Sequence, residues 1–379
     1  MNHLKTILKM LLVLIVSSLD GTMSKLLDNH TDTIMLGSAL YHKPDSSVLE
    51  RALNVYRAQY DDALPSYCLL AYVNDYEGVS VASYPRYWHG YLVFLKPLLL
   101  FTDYLGFRTL NKILLLSLTA AVIGVLVKRG QKRAVLPFVT AVLFLRPSAV
   151  AYSLQYSTIF YTSITALLVM VLWNEKLKQG NRFLFFFLIL GILTNYLDFL
   201  TYPIATLGFS AAMYLCLQDS LSCREKLRSI LLYSLAWALG YFGMWIAKWS
   251  LASLLLRENV FADALKQAQF RMSDSISGHV FTRLDVFSRN FMVGFDHIEV
   301  LACVIFTVTL LYGIWVCGFH IKRFLLHGIP YVLVCLMPFA WYTVLQNHSF
   351  VHPAFTYRSL AVFVFAFLCM GITAPRAKK

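Results

Sequence analysis

Charge is what this sequence has least of. Asp, Glu, Lys and Arg make up 14% of its 379 residues, against about 25% in soluble globular domains. With 58% hydrophobic residues and a mean hydropathy of +0.62, the chain carries more apolar surface than a soluble fold of this length can bury. A bilayer removes that surface from water. Paired cysteines are missing too: the seven cysteines form no CxxC pair, and six lie in or beside apolar runs. Only Cys68 sits in a long outer loop, so no disulfide framework is implied. No low-complexity linker, inverted repeat or GxxxG-rich face stands out. Ionisable groups at mid-bilayer depth are scarce, which counts against ion-coupled pumps and channels.

What is present is a series of apolar runs, at about 4–19, 111–127, 134–149, 153–173, 183–197, 201–217, 228–250, 297–318, 324–345 and 358–374. They predict an all-α polytopic membrane protein of about ten spans, with residues 1–379 as one transmembrane domain. Several runs fall short of the roughly 20 residues a straight span needs; those at 134–149, 183–197 and 201–217 are the weakest. The N-terminal run, preceded by Lys5 and Lys9, lacks a small-residue cleavage site and reads as an uncleaved span.

Every second connection is basic: Lys128, Arg129, Lys132 and Arg133; Lys176, Lys178 and Arg182; Arg224, Lys226 and Arg228; Lys322 and Arg323; then Arg376, Lys378 and Lys379. The formal charge of +13 is therefore a positive-inside bias, which puts both termini on the cytoplasmic side of the plasma membrane, and not a nucleic-acid footprint. The first outer loop, about 20–110, and the fourth, about 251–296, are long and studded with apolar residues. Helical spacing over Ser46–Tyr60, the aromatic-rich Tyr84–Leu100 stretch, Phe261–Met272 and Phe281–Phe291 predict amphipathic helices at the membrane surface.

Polar residues collect at the outer rim, as they would in an enzyme working at that interface. Leu27–Leu36 holds Asp28 and Asp32 four apart with His30 between them. On a helix both carboxylates share a face, where one can act as base while the other shifts its pKa; the plain alternative is a helix N-cap. Asp20 is a further candidate, and Asp61-Asp62 reads better as a solvated turn. Arg86, Tyr87 and His89 in Tyr84–Tyr91 suit a phosphate clamp and sugar stacking, or an aromatic belt. His348, His352, Tyr357 and Arg358 gather between the last two spans. The two His four apart have no third ligand beside them, so no metal site is assigned and no cofactor is implied.

This layout resembles the GT-C superfamily of polytopic glycosyltransferases. The shared features are a first span, a long extracytoplasmic loop with surface helices and early acidic residues, and ten or more spans. LDNHTDTIML, YPRYWHGYLVFLKPLL and HSFVHPAFTYRSLAV are also similar to uncharacterised multispan Gram-positive proteins, some of them associated with surface polysaccharide biosynthesis in the cell envelope. The resemblance implies an inverting transfer of sugar from a polyprenyl-phosphate donor to a glycan or lipid acceptor. Asp28 or Asp32 would be the catalytic base, with Asp20 in reserve. Arg86 and Arg358 would contact phosphate, and Tyr87, His89, His348, His352 and Tyr357 would contact substrate. The Asp-Glu and DxD patterns of some members are absent near the first span. Two other readings stay open: a transporter or flippase for lipid-linked sugars, and a non-catalytic partner in a polysaccharide assembly machine.

Overall fold

The computed structural model describes residues 28–44 and 46–376. The expected first span at 4–19, Asp20 and the C-terminal Lys378 and Lys379 lie outside these residues. Six helices are long and apolar enough to cross a membrane: Tyr104–Lys128, Leu154–Leu177, Cys223–Leu256, Glu299–Val316, Ile321–Val344 and Pro353–Ile372. Each overlaps one of the apolar runs read from the sequence.

The other apolar runs among the described residues are shorter helices. Arg182–Leu197 and Ile204–Leu217 have 16 and 14 residues, about 24 and 21 Å of rise. The 134–149 run is divided into Val135–Phe144 and Pro147–Ala151, broken at Arg146 in the left-handed region. Pro147 accounts for the break, because the residue before a proline is pushed out of the α conformation.

The interior of the bundle is built on Ile204–Leu217, in which every residue from Ile204 to Cys216 is buried. A helix that is apolar all round belongs inside a bundle. Thr206 crosslinks this core: it pairs with Thr194 at 2.8 Å and accepts from Trp237 Nε1 at 3.0 Å. The outer helices turn apolar side chains outward instead, among them Ile113, Leu239, Val304 and Leu336. An outward apolar surface of this kind fits contact with hydrocarbon.

Arg182–Leu197 packs closely on Cys223–Leu256 because two glycines let the backbones meet. A methyl group on Gly191 would overlap the Trp237 carbonyl, and one on Gly240 would overlap the Leu188 carbonyl. Small residues at such crossings are the usual means of close packing between membrane helices.

One end of the bundle carries the basic connections. The other carries a small cap: helix Asn29–Leu40, helix Val48–Leu53, strand Val55–Gln59, helix Pro65–Val73 and strand Ser80–Tyr84. The two strands pair antiparallel, Val55 opposite Tyr84 and Gln59 opposite Ser80. This corrects the expectation of one surface helix over Ser46–Tyr60. The helix ends at Leu53, and Asn54 ties the following strand to its partner through Ser83 and the Tyr84 N–H.

Tyr84–Leu100 likewise becomes a strand end, a loop and the short helix Leu92–Leu98. The fourth-loop segments do form helices, at Val260–Met272 and Arg283–Phe295, joined by a two-residue β-ladder between Ser275–Ile276 and His279–Val280. Leu284 and Met292 face outward from the second of these.

Replacing Gly191 or Gly240 with Val should force the two helices apart and destabilise the protein by about 1–3 kcal/mol. The check is thermal unfolding in detergent: an unchanged midpoint would contradict this close packing.

Candidate functional site

Asp32 is 2% exposed and lies against the start of the Leu154–Leu177 helix. Its carboxylate accepts from Leu154 N (2.9 Å), Gln155 N and Ser153 Oγ (both 3.1 Å), and from the Tyr104 hydroxyl (2.6 Å). The first N–H groups of a helix have no partner within it and carry partial positive charge. Asp32 satisfies them from a distant part of the chain.

Arg108 completes the arrangement, donating to Tyr104 Oη at 3.1 Å and to Asn29 Oδ1 at 3.3 Å. Burial pushes the Asp32 carboxyl up to about 6, while the donors from Tyr104, Leu154 and Gln155 and the charge of Arg108 pull it back. The base role expected of Asp32 does not fit this geometry, since its oxygens are enclosed and already bonded. It joins the cap to the membrane helices.

Asp28 is the N-cap of Asn29–Leu40. It accepts from Thr31 N at 2.9 Å and from Thr31 Oγ1 at 2.7 Å, one bond to each oxygen. Each oxygen keeps acceptor capacity, and the residue is half-buried. His30 is exposed beside it, and Asp61 and Asp62 lie exposed in a turn.

The Tyr84–Tyr91 residues hold the cap to the bundle. Arg86, expected on a phosphate, pairs with Asp263 at 2.7 Å in a partly exposed contact. Trp88 Nε1 donates to Met244 O at 2.9 Å and Trp249 Nε1 to Arg86 O at 3.1 Å. His89 is buried among Tyr84, Tyr87, Tyr91 and Phe199. One ring nitrogen meets Tyr84 O at 3.1 Å, and burial lowers the ring to about 3. Tyr87 packs edge-on against Phe199 and Trp245. Tyr87 and His89 are both buried in this enclosure, and His89 Nδ1 has no hydrogen-bond partner.

The segment from Gln346 to Ser359 is turned into the protein as short helices. Gln346 Nε2 donates to Phe281 O at 3.0 Å and Asn347 Nδ2 to Ser275 O at 2.7 Å. Thr356 donates to Asn290 at 2.7 Å. His348 lies between Arg271, 2.7 Å from Nδ1, and Leu200 O, 2.7 Å from Nε2. An arginine only donates, so Nδ1 accepts and Nε2 carries the proton. Burial and Arg271 hold this ring well below the usual histidine range. With both nitrogens engaged, His348 positions Arg271 and has none left for a sugar.

His352 differs. Its ring is 5.0 Å from that of His348 and stacks on Phe355 at 5.1 Å. Its nitrogens make no hydrogen bond among the described residues. Burial and Arg271 lower it to about 4, against the opposing pull of Asp28, so Asp28 and Arg271 both act on this ring. His352 is neutral near pH 7.

Arg358 is fully buried. Its guanidinium lies 3.8 Å from the centre of the Tyr156 ring and 4.8 Å from that of Tyr357. Nε donates to Leu145 O at 3.2 Å and Nη1 to Ala354 O at 2.7 Å, while Nη2 has no partner. The hydroxyls of Tyr156 and Tyr357 are also buried and unpartnered. Asp28 and Arg358 both lie within electrostatic range of Tyr156.

Among the described residues, neither Arg358 nor Arg271 has a carboxylate at ion-pair distance. Also among these residues, no three His, Cys, Asp or Glu side chains are grouped to hold a metal ion. Arg271 and Tyr156 were not singled out in the sequence. Arg271 ends an amphipathic helix, and Tyr156 opens an apolar run, so neither stands in a motif.

Asp198 is buried where Arg182–Leu197 ends. It accepts from Thr201 N at 2.9 Å and from the Thr201 hydroxyl, and burial pushes it up to about 7.

Comparison of the chain with protein-family models, with curated proteins and with solved structures gave no match. The functional reading therefore rests on the residues themselves.

His89 gives a direct pH test. Its folded pKa lies below its unfolded value, so its stabilising contribution is full above about 6.5 and is lost as pH falls toward 3. The unfolded chain takes up a proton there that the folded chain does not. His89→Asn keeps a donor for Tyr84 O and suits the positive φ at this position. Its unfolding midpoint should fall less than that of wild type between pH 7 and 4.5; equal slopes would contradict this.

Proposed function

We propose that the chain is a ten-span plasma-membrane glycosyltransferase of the inverting, GT-C-like kind, with both ends cytoplasmic. It moves a sugar from a polyprenyl-phosphate donor to a cell-surface glycan or lipid acceptor on the cap face. The observation that carries this is the buried, unpaired guanidinium of Arg358 between two unpartnered tyrosine hydroxyls. A buried charge without a counter-ion is costly, and a phosphate satisfies both the charge and the free donors. Arg271, also without a carboxylate, is the second cation near His352. The spacing of basic connections supports the topology, with the short helices counted as spans.

In this reading the acceptor hydroxyl attacks the anomeric carbon as the bond from that carbon to the phosphate oxygen breaks. The electron pair leaves with the phosphate, whose charge Arg358 and Arg271 stabilise. Asp28 takes the hydroxyl proton, assisted by its open lone pairs and by His352 beside it. Displacement from the opposite face inverts the anomeric centre.

The test is transfer from a radiolabelled polyprenyl-phosphate sugar in proteoliposomes. Asp28→Asn should lower kcat at least ~100-fold, and Arg358→Gln should raise KM as well as lower kcat. Wild type inactive toward every such donor, or full activity in both variants, would sink the proposal.

A further inference from the structure

The turn between Arg182–Leu197 and Ile204–Leu217 runs inside the protein: Asp198, Leu200, Thr201 and Tyr202 are each at most 7% exposed. A buried loop must find partners for its polar groups within the protein, and this one finds them in three distant parts of the chain. The Phe199 ring packs against Tyr87, His89 and Tyr91 of the cap. Tyr202 Oη donates to Tyr156 O at 2.6 Å, on the residue over whose ring Arg358 lies. The Leu200 carbonyl lies 2.7 Å from His348 Nε2.

Leu200 has a φ of 66°, in the left-handed region, where a leucine stays only if its surroundings hold it. Asp198 supplies the hold. Its carboxylate accepts from Thr201 N at 2.9 Å and from the Thr201 hydroxyl, closing the turn around Leu200 as a side-chain oxygen closes a helix N-cap. With the turn closed, the Leu200 carbonyl is aimed at His348.

That aim decides where the His348 proton sits. A neutral imidazole carries one N–H, and the bond made by one nitrogen sets the role of the other. The carbonyl opposite Nε2 keeps the proton there, so Nδ1 offers its lone pair to Arg271 Nη1, 2.7 Å away. With the carbonyl turned aside, a proton on Nδ1 would face the N–H groups of the guanidinium and displace it. Asp198 therefore bears on Arg271 without touching it, through Leu200 and His348.

We propose that Asp198 is a positioning residue: by closing the turn at Leu200 it fixes the Nε2-protonated form of His348 and so holds Arg271 in place. That Arg271 then meets a phosphate rests on the glycosyltransferase reading; the control of the His348 proton does not. The role needs hydrogen bonds and not charge. An asparagine can accept from Thr201 N and donate to the Thr201 hydroxyl, so Asp198→Asn should serve where Asp198→Ala fails.

The test is 15N NMR of histidine-labelled full-length protein in proteoliposomes at neutral pH, with the His348 signals identified by their loss in His348→Gln. Wild type and Asp198→Asn should show a protonated Nε2 and a bare Nδ1, whereas Asp198→Ala should move the proton toward Nδ1. Thr201→Val keeps the backbone N–H and removes the hydroxyl; it should shift the signals less, in the same direction, and serves if Asp198→Ala does not fold. Polyprenyl phosphate should bind Asp198→Ala about fivefold more weakly than wild type, the equivalent of one hydrogen bond, and bind Asp198→Asn as wild type. A proton on Nδ1 in wild type would overturn the proposal. So would wild-type signals in every folded variant of Asp198 and Thr201, or a moved proton with unchanged affinity. The expected proton positions in a wild type that binds no polyprenyl phosphate would uphold the positioning and count against the glycosyltransferase reading alone.

Discussion

The Asp32 carboxylate, set against the first turn of Leu154–Leu177, is the contact on which the arrangement of the cap face depends. Four donors converge on it, two of them backbone N–H groups that a helix cannot satisfy for itself. Leaving such groups bare near the membrane is costly, and no neighbouring part of the chain meets them. The result fixes helix Asn29–Leu40 over the bundle. That in turn places Asp28 where its charge acts on His352 and Tyr156.

The same constraint sorts the other polar residues of this face by what remains free. Arg86 is neutralised by Asp263, His348 is bound on both nitrogens, and His89 sits in an aromatic enclosure. Arg86 and His348 are explained by holding the fold, while His89 keeps an unpartnered Nδ1. Arg358, Tyr156 and Tyr357 keep unmet hydrogen-bonding atoms, and the exposed His352 ring makes no hydrogen bond among the described residues. Other buried polar atoms of the described residues are also unpartnered, but Arg358 Nη2 and the Tyr156 and Tyr357 hydroxyls lie together around one charge, which gives a ligand there something to gain.

Much of the fold was legible in the sequence. Apolar runs located the long helices, and the helices at Val260–Met272 and Arg283–Phe295 followed from amphipathic spacing. Over Ser46–Tyr60 the helical spacing of Val48, Leu49, Leu53 and Tyr56 runs past Leu53, where the helix ends; the strand after it depends on Ser80–Tyr84, about 25 residues away. The site was less legible for a related reason. Asp28 and Asp32 look equivalent in LDNHTDTIML, and what separates them is Ser153–Gln155, more than 120 positions on. The pairing of Arg86 with Asp263 crosses 177 positions. Spacing along the chain finds residues that share a helix face, but not the distant partner that engages one and leaves another free.

The central claim is that Arg358 holds a lipid-linked phosphate. Equilibrium binding of polyprenyl phosphate to purified wild type and Arg358→Gln tests it without requiring the sugar or the acceptor to be known. Loss of a charged hydrogen bond of about 1.5–3 kcal/mol predicts a Kd at least tenfold weaker in the variant. Equal affinity in a variant that unfolds at the same temperature as wild type would contradict it.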